Sequence, residues 1–180
     1  MVYDGVLKGR FVELKSITVD DAQFSYDIRA DEKNRETVGV VAGSVEDQRK
    51  YIEWQMAQPG DYYFVVYNKK GEKIGLIGVY DVSGDTAEMG REVNCGSCVE
   101  VMEAEVLLQD FAMDVLGLKT LCFVIYANNP KHLKNQQRNN IIPVKKVIRN
   151  GVESYYYEFE LTKDNSIRRK LARVGDDFLD

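Results

Sequence analysis

The chain has 180 residues, of which 44% are hydrophobic and 29% charged, and a net charge of −5. That length suits one α/β domain, and the composition is too apolar for a disordered chain. The acidic balance argues against nucleic-acid binding, which normally needs a basic face, and no apolar run approaches the ~18 residues of a membrane span.

Residues 1–10 lack the basic and apolar regions of a signal peptide, so a cytoplasmic protein is expected. Three cysteines, an odd number, do not suggest a secreted disulfide framework. Two basic clusters, Lys145, Lys146 and Arg149, then Arg168, Arg169 and Lys170, read as solvated surface.

Phe11 to Ile17 alternates apolar and polar residues, as a strand does. Thr18 with Asp21, and Ser44 with Asp47, are helix-start patterns. The first helix would carry Ala22, Phe24, Tyr26 and Ile28; the second Tyr51, Ile52, Trp54 and Met56, ending at Gly60. A β-meander follows: Tyr62 to Tyr67, Lys73 to Val82 and Thr86 to Asn94, joined by Gly71 and Gly84 turns. Val99 to Leu116 reads as a long helix with Val101, Ala104, Leu108, Phe111 and Val115 on its apolar stripe and Glu103, Asp110 and Asp114 on its wet face. Gly117 is its C-cap. Thr120 to Ala127 is a buried strand, and Pro130 opens a short helix. Val144 to Arg149 and Glu153 to Leu161 flank Asn150-Gly151, a strong hairpin signal. The order β-α-α-β-β-β-α-β-α-β-β excludes a regularly alternating doubly wound fold. It leaves a mixed, mostly antiparallel α/β sheet of about seven strands with helices on both faces. One domain over residues 1–161 is expected, then a charged tail, 162–180, with a short helix around Ile167 and Leu171 or a frayed end.

This order, with Leu7-Lys8-Gly9-Arg10-Phe11-Val12-Glu13-Leu14, Lys73-Ile74-Gly75-Leu76-Ile77-Gly78, Glu88-Met89-Gly90, Phe111-Ala112, Leu116-Gly117-Leu118 and Asn128-Asn129-Pro130-Lys131, resembles the GNAT N-acyltransferases. Within them it is most similar to the RimJ/RimL-like branch, and between Glu88 and Ile141 to amino-sugar N-acetyltransferases of the pseudaminic acid pathway. The resemblance implies an acetyl-CoA-dependent N-acetyltransferase. Its acceptor would be a primary amine on an amino sugar nucleotide, a peptide N-terminus or another small amine. Relatives are often dimers, so a homodimer is compatible with it.

The resemblance also assigns roles. The cofactor's pyrophosphate would lie on backbone N–H groups of Asn94, Cys95, Gly96, Ser97, Cys98, Val99, Glu100 and Val101, at the start of the long helix. The family's glycine-any-glycine loop is here Val99-Glu100-Val101, which crowds that approach and adds a negative charge. A backbone N–H near Val93 would polarise the thioester carbonyl. Asn128 or Asn129 would bond the pantetheine arm, and Lys131 and Lys134 the phosphates. The amine must lose a proton; Glu88 is the first choice of base. Glu92, placed on the same strand face by the period of two, is the reserve. Many members protonate the leaving thiolate from a tyrosine whose place Gln136 takes here; glutamine cannot supply a proton, so Tyr126 is the substitute. Arg29, Tyr155 and Tyr157 are expected at the acceptor pocket.

Three other readings exist. Cys95-Gly96-Ser97-Cys98 is a C-x-x-C at a helix start, the pattern of a thiol-disulfide pair. Cys95, Cys98, Cys122 and His132 are ligand types for zinc, although only the first pair is tightly spaced and His132 reads as an exposed helix residue. No metal is therefore expected. A fold that has lost its loop glycines and tyrosine could also be a binding module without turnover.

Overall fold

The strand expected over Phe11 to Ile17 forms, and a shorter strand precedes it. The chain turns at Gly9-Arg10 between β1 (Val6–Lys8) and β2 (Val12–Ser16). The anchor of that turn is Glu103, whose carboxylate accepts the backbone N–H groups of Arg10, Phe11 and Val12 at 2.8, 2.5 and 2.7 Å. Glu103 is therefore buried, not on the wet face. Three amides at a chain reversal need an acceptor, and a charged oxygen satisfies them strongly.

The computed structural model describes residues 1–35, 41–138 and 141–175. Asp21 Oδ2 takes the N–H of Thr18 at 2.8 Å and opens a 3₁₀ turn that runs into α1 (Ala22–Ala30). A short α2 (Glu32–Arg35) follows, which no sequence signal marked. α3 (Val45–Ala57) begins where Ser44 Oγ accepts the Asp47 N–H. It ends three residues before Gly60, whose φ of +69° turns the chain into the sheet.

The meander is β3 (Tyr62–Asn68), β4 (Lys73–Ser83) and β5 (Thr86–Asn94). α4 (Cys98–Asp114) then crosses to β6 (Thr120–Tyr126), which lies parallel to β5. α5 (Pro130–Arg138) leads to the hairpin of β7 (Lys145–Arg149) and β8 (Val152–Glu160). Asn150 and Gly151 have φ of +51° and +76°, as a two-residue hairpin turn requires. Among the described residues eight strands form one mixed sheet, in the order β1-β2-β3-β4-β5-β6-β8-β7.

Each face of the sheet has its own core. Phe64, Ile77, Met89 and Leu121 pack under Ala104, Leu108 and Phe111 of α4. Ile17, Tyr63, Val65, Leu76 and Val93 pack under Ala22 and Ile28 of α1 and Ile52 of α3. Phe123, Ile125 and Tyr157 form a third cluster beside Leu133 of α5. The C-terminal α6 (Ser166–Leu171) docks on α4. Arg168, 15% exposed at its side chain, holds Asp110 at 2.9 Å, and Lys163 bridges Asp110 and Asp114 at 2.6 Å each. Arg168 is thus a tether between helices and not a solvated charge. No helix among the described residues is long and apolar enough to cross a membrane.

Candidate active site

β5 carries the site. It pairs with β6 only where Thr86, Ala87 and Glu88 meet Thr120, Leu121 and Cys122. Beyond Glu88 the two strands part. The bend lies on β5, where Arg91 has φ +53° and the register against β4 slips between Gly78–Gly90 and Leu76–Val93. That is a β-bulge, which bends its strand and strengthens its twist.

One extra residue also exchanges the faces of everything that follows. Before the bulge, Ala87 and Met89 point into the α4 core, so Glu88 faces α1 and α3. After it, Val93 points into the α1/α3 core, so Glu92 faces α4. The expectation that Glu88 and Glu92 share a face is therefore corrected. The period of two fails across a bulge.

The gap between β5 and β6 opens into a cavity of about 730 Å³. Met89 to Glu92 and Phe123 to Tyr126 form its strand walls. Arg29 and Tyr51 line the end toward α1 and α3; Glu105, Gln109 and Gln136 line the end toward α4 and α5.

Glu88 is held on two sides. Tyr80 Oη donates to its Oε1 at 2.7 Å, and Arg149 Nη2 donates to the same oxygen. A Cβ at Gly90 would sit 2.5 Å from that tyrosine oxygen, so glycine leaves the room for Tyr80 to reach across. Burial, then the charge of Glu88, push the Tyr80 hydroxyl up, so it remains a donor. Arg149, expected on the surface, lines the cavity instead. Arg91, another of the cavity's arginines, is equally engaged. Its Nη1 and Nη2 meet Asp61 Oδ1 and Oδ2 at 2.6 and 2.7 Å, and its guanidinium lies 4.0 Å over the Tyr80 ring.

Glu92 and Glu105 differ from these. Both are half-buried on the cavity wall, and among the described residues neither has a hydrogen-bond or ion-pair partner. Burial pushes Glu92 up to about 7. Burial, then the charge of Glu92, push Glu105 well above the usual carboxylate range. A carboxylate near 7 suits proton abstraction at neutral pH.

The other expected residues divide. Tyr126 lines the cavity and its Oη accepts from Asn150 Nδ2 at 2.8 Å. Asn129 also lines it, while its Oδ1 caps α5 by accepting the His132 N–H at 3.1 Å. His132 is half-buried on the wall, not exposed, and burial, then Lys131, lower its pKa, so it is neutral at pH 7. Asn128, Lys131 and Lys134 are exposed and off the cavity wall. Tyr157 is core, stacked on Phe123 at 4.8 Å, and Tyr155 packs in the same cluster. Neither lines the cavity, because the face of β8 that they share packs on α5.

At the start of α4, Ser97 is the N-cap. Glu100 Oε2 takes the Ser97 N–H at 2.7 Å and its hydroxyl at 2.8 Å, and Asn94 Oδ1 takes the Gly96 N–H at 2.9 Å. Cys98 and Val99 occupy the first helical positions, whose N–H groups have no intrahelical acceptor. The Val99 side chain is buried in the α4 core, while Val101 is half-buried. Cys95 and Cys98 are exposed free thiols. The Cys95 N–H bonds to Ile74 O on β4. Strand amides alternate sides, so the Val93 N–H also faces β4, and those of Glu92 and Asn94 face the gap. Cys122 lies against Ala87 O, and among the described residues no three His, Cys, Asp or Glu side chains group as metal ligands.

A sheet that opens between two parallel neighbours, with a helix N-terminus beside the opening, is the architecture of an acyl-CoA-dependent transferase. The acetyltransferase (GNAT) domain family matches residues 12–139, and the chain belongs to that family. It is an N-acetyltransferase, and acetyl-CoA is its cofactor. Solved structures share the fold. A GCN5-related N-acetyltransferase from Brucella melitensis is 12% identical over 94% of this chain and 85% of its own, with a TM-score of 0.75. Apo FdhC, a nucleotide-linked sugar GNAT, is 18% identical over 93% and 94%, TM-score 0.72. The spermidine N-acetyltransferase from Vibrio cholerae, in complex with CoA and spermine, is 11% identical over 83% and 95%, TM-score 0.71. No curated protein matches the chain by sequence.

The residues present fit the cofactor's arm. The gap leaves the Glu92 and Asn94 amides and the facing edge of β6 without strand partners. At the start of α4 the amides of Cys98 and Val99 are open, while Glu100 occupies the Ser97 amide. Glu100→Gln is expected to tighten acetyl-CoA binding by about 2- to 5-fold in calorimetry, from one removed negative charge at a helix N-terminus worth about 0.3–1 kcal/mol. Unchanged or weaker binding would show that Glu100 does not face the phosphates.

Sequence reasoning missed Glu105, Tyr80, Asp61 and the cavity role of Arg149. Glu105 alone left a signal: it lies one position from Ala104 and three from Leu108, beside the apolar stripe of α4.

Proposed function

We propose that the protein acetylates a primary amine on a small molecule by direct transfer, with Glu92 as the general base. The observation that carries the reading is the parting of β5 from β6 beyond Glu88, with an unpartnered carboxylate on the wall of the gap. When bound, acetyl-CoA supplies the activated acetyl group. Amides of Cys98 and Val99 hold its phosphates, and those of Glu92 and Asn94 meet its arm and the thioester oxygen. Asn129 orients the arm from the opposite wall. Glu92 Oε takes the proton of the amine. Glu88, fixed by Tyr80 and Arg149, closes the acceptor end with Arg29. Its oxygen is already engaged by two donors, which favours an orienting role over a basic one.

The motifs of residues 7–14 and 73–78 support placement in the RimJ/RimL-like branch, and the candidate acceptors are all amines: an amino sugar nucleotide, a peptide N-terminus or a small amine. The FdhC and spermidine acetyltransferase likenesses support small-molecule acceptors over peptides. We place the protein in the cytoplasm, as a single domain over residues 1–161 with an appended tail, and a homodimer fits this reading. The test is thiol release from acetyl-CoA with a panel of a 4-amino sugar nucleotide, spermidine and a peptide with a free N-terminus. Acceptor-dependent release with one small amine is expected. Release with the peptide alone would overturn the small-molecule reading, and release with none would overturn the transfer reading.

A further inference from the structure

We infer that Glu92 and Glu105 act as one proton-sharing unit, in which Glu92 takes the proton of the acceptor amine and Glu105 gives one to the departing sulfur. The inference rests on the acetyl-transfer reading above.

Acetyl transfer moves a proton from nitrogen to sulfur, so an acid must stand near the thiolate. The wall of α5 does not supply it. Gln136 is 8% exposed, lines the cavity and, among the described residues, has no partner for its side chain. A carboxamide so placed awaits a ligand's hydrogen bond, but it has no proton to give. Among the cavity's hydroxyls Tyr80 donates to Glu88, while Tyr126 Oη accepts from Asn150 and keeps its own proton, which makes it the rival acid that an unchanged Glu105→Gln profile would favour. His132 on α5 is neutral. Glu160 of β8 is exposed at one end of the cavity. Arg29 and Tyr51 stand at the far end, toward α1 and α3. Arg91 and Arg149 are spent on Asp61 and Glu88. Among the described residues no cation pairs with Glu92 on β5 or Glu105 on α4.

Two carboxylates in one desolvated site cannot both ionise easily; they hold one proton between them. Burial raises both, and the charge of Glu92 raises Glu105 further, so the pair keeps a proton; Glu105 on α4 is assigned as its holder, and Glu92, on the strand that opens the gap, as the base. The steps balance. The amine nitrogen's lone pair forms the C–N bond, the C–S bond breaks, the N–H proton goes to Glu92 Oε, and the Glu105 proton goes to sulfur. Transfer from Glu92 to Glu105 restores the unit with no net proton gained or lost.

The test has two arms on wild type, Glu92→Gln, Glu105→Gln and Glu105→Asp. The first needs no ligand: carboxyl NMR of ¹³C-glutamate-labelled protein across pH 4–10. Wild type should show two coupled steps above the usual glutamate range, and each Gln variant one step for the survivor, at lower pH. The second is the pH profile of kcat with the amine found by the panel. Wild type should give a bell. Glu105→Gln should lose its high-pH limb with kcat down about 10²-fold, and Glu105→Asp should keep the limb, which also covers a Gln variant that folds poorly. Independent titrations in the ordinary range, or an unchanged profile in Glu105→Gln, would overturn the pair. A panel without turnover would sink the transfer reading and with it the pair's catalytic role, while the NMR titration would separately decide whether the two carboxylates share a proton.

Discussion

Glu92→Gln is expected to lower kcat by about 10²- to 10⁴-fold, the usual worth of a positioned general base, with the KM for acetyl-CoA nearly unchanged. Glutamine keeps the shape and one acceptor oxygen but cannot take a proton, so the loss isolates the chemical step. The side chain stands on the gap wall facing α4, away from the amides that meet the phosphates, so cofactor binding has little reason to suffer. The pH dependence has a definite sign. Burial pushes Glu92 up to about 7, so as pH falls through that range the base takes up a proton and wild-type kcat is expected to fall. The variant has no such group, and its low-pH limb should vanish. Steady-state kinetics from pH 5 to 9 make the check. A Glu92→Gln enzyme within threefold of wild type would remove Glu92 as the base and return that role to Glu88.

The largest stability effect belongs to a pair outside the chemistry. Asp61 is 5% exposed and meets both ends of the Arg91 guanidinium while also accepting from Gln55 Nε2 at 2.9 Å. Asp61→Ala leaves a desolvated cation with three aromatic rings and no counter-charge, and the cost expected is about 3–5 kcal/mol. Arg91 is the bulge residue, so its restraint also fixes the direction of Glu92. Urea denaturation should show the drop. The double variant Asp61→Ala, Arg91→Met should be more stable than Asp61→Ala, because the stranded charge is gone. A single variant as stable as wild type would mean that water already reaches the pair.

Most of the architecture was legible because its causes are local. The Ser44-Asp47 cap, the Asn150-Gly151 turn and the apolar stripe of α4 each lie within one turn or one hairpin. The site was less legible because its decisive feature is not local. Nothing in Gly90-Arg91-Glu92 announces a bulge: Arg91 adopts a positive φ without being glycine, and the slip exists only against β4. Alternation therefore put Glu92 on the wrong face. Charge was also an imperfect guide to exposure. Glu103, Arg149 and Arg168 read as wet, yet their partners lie 91–93, 61 and 58 residues away in sequence, and those partners are what draw them inward. Tyr157 failed the opposite way, since alternation in Tyr155-Tyr156-Tyr157 says that faces differ but not which one meets α5.

The central claim, that the gap between β5 and β6 holds acetyl-CoA for transfer despite Val99-Glu100-Val101, is tested most directly by calorimetric titration of acetyl-CoA into the wild-type protein, with free CoA as control. The account predicts one site per chain with a Kd in the micromolar range. No heat of binding at millimolar acetyl-CoA would contradict it, and would mean that the altered start of α4 has closed the cofactor site.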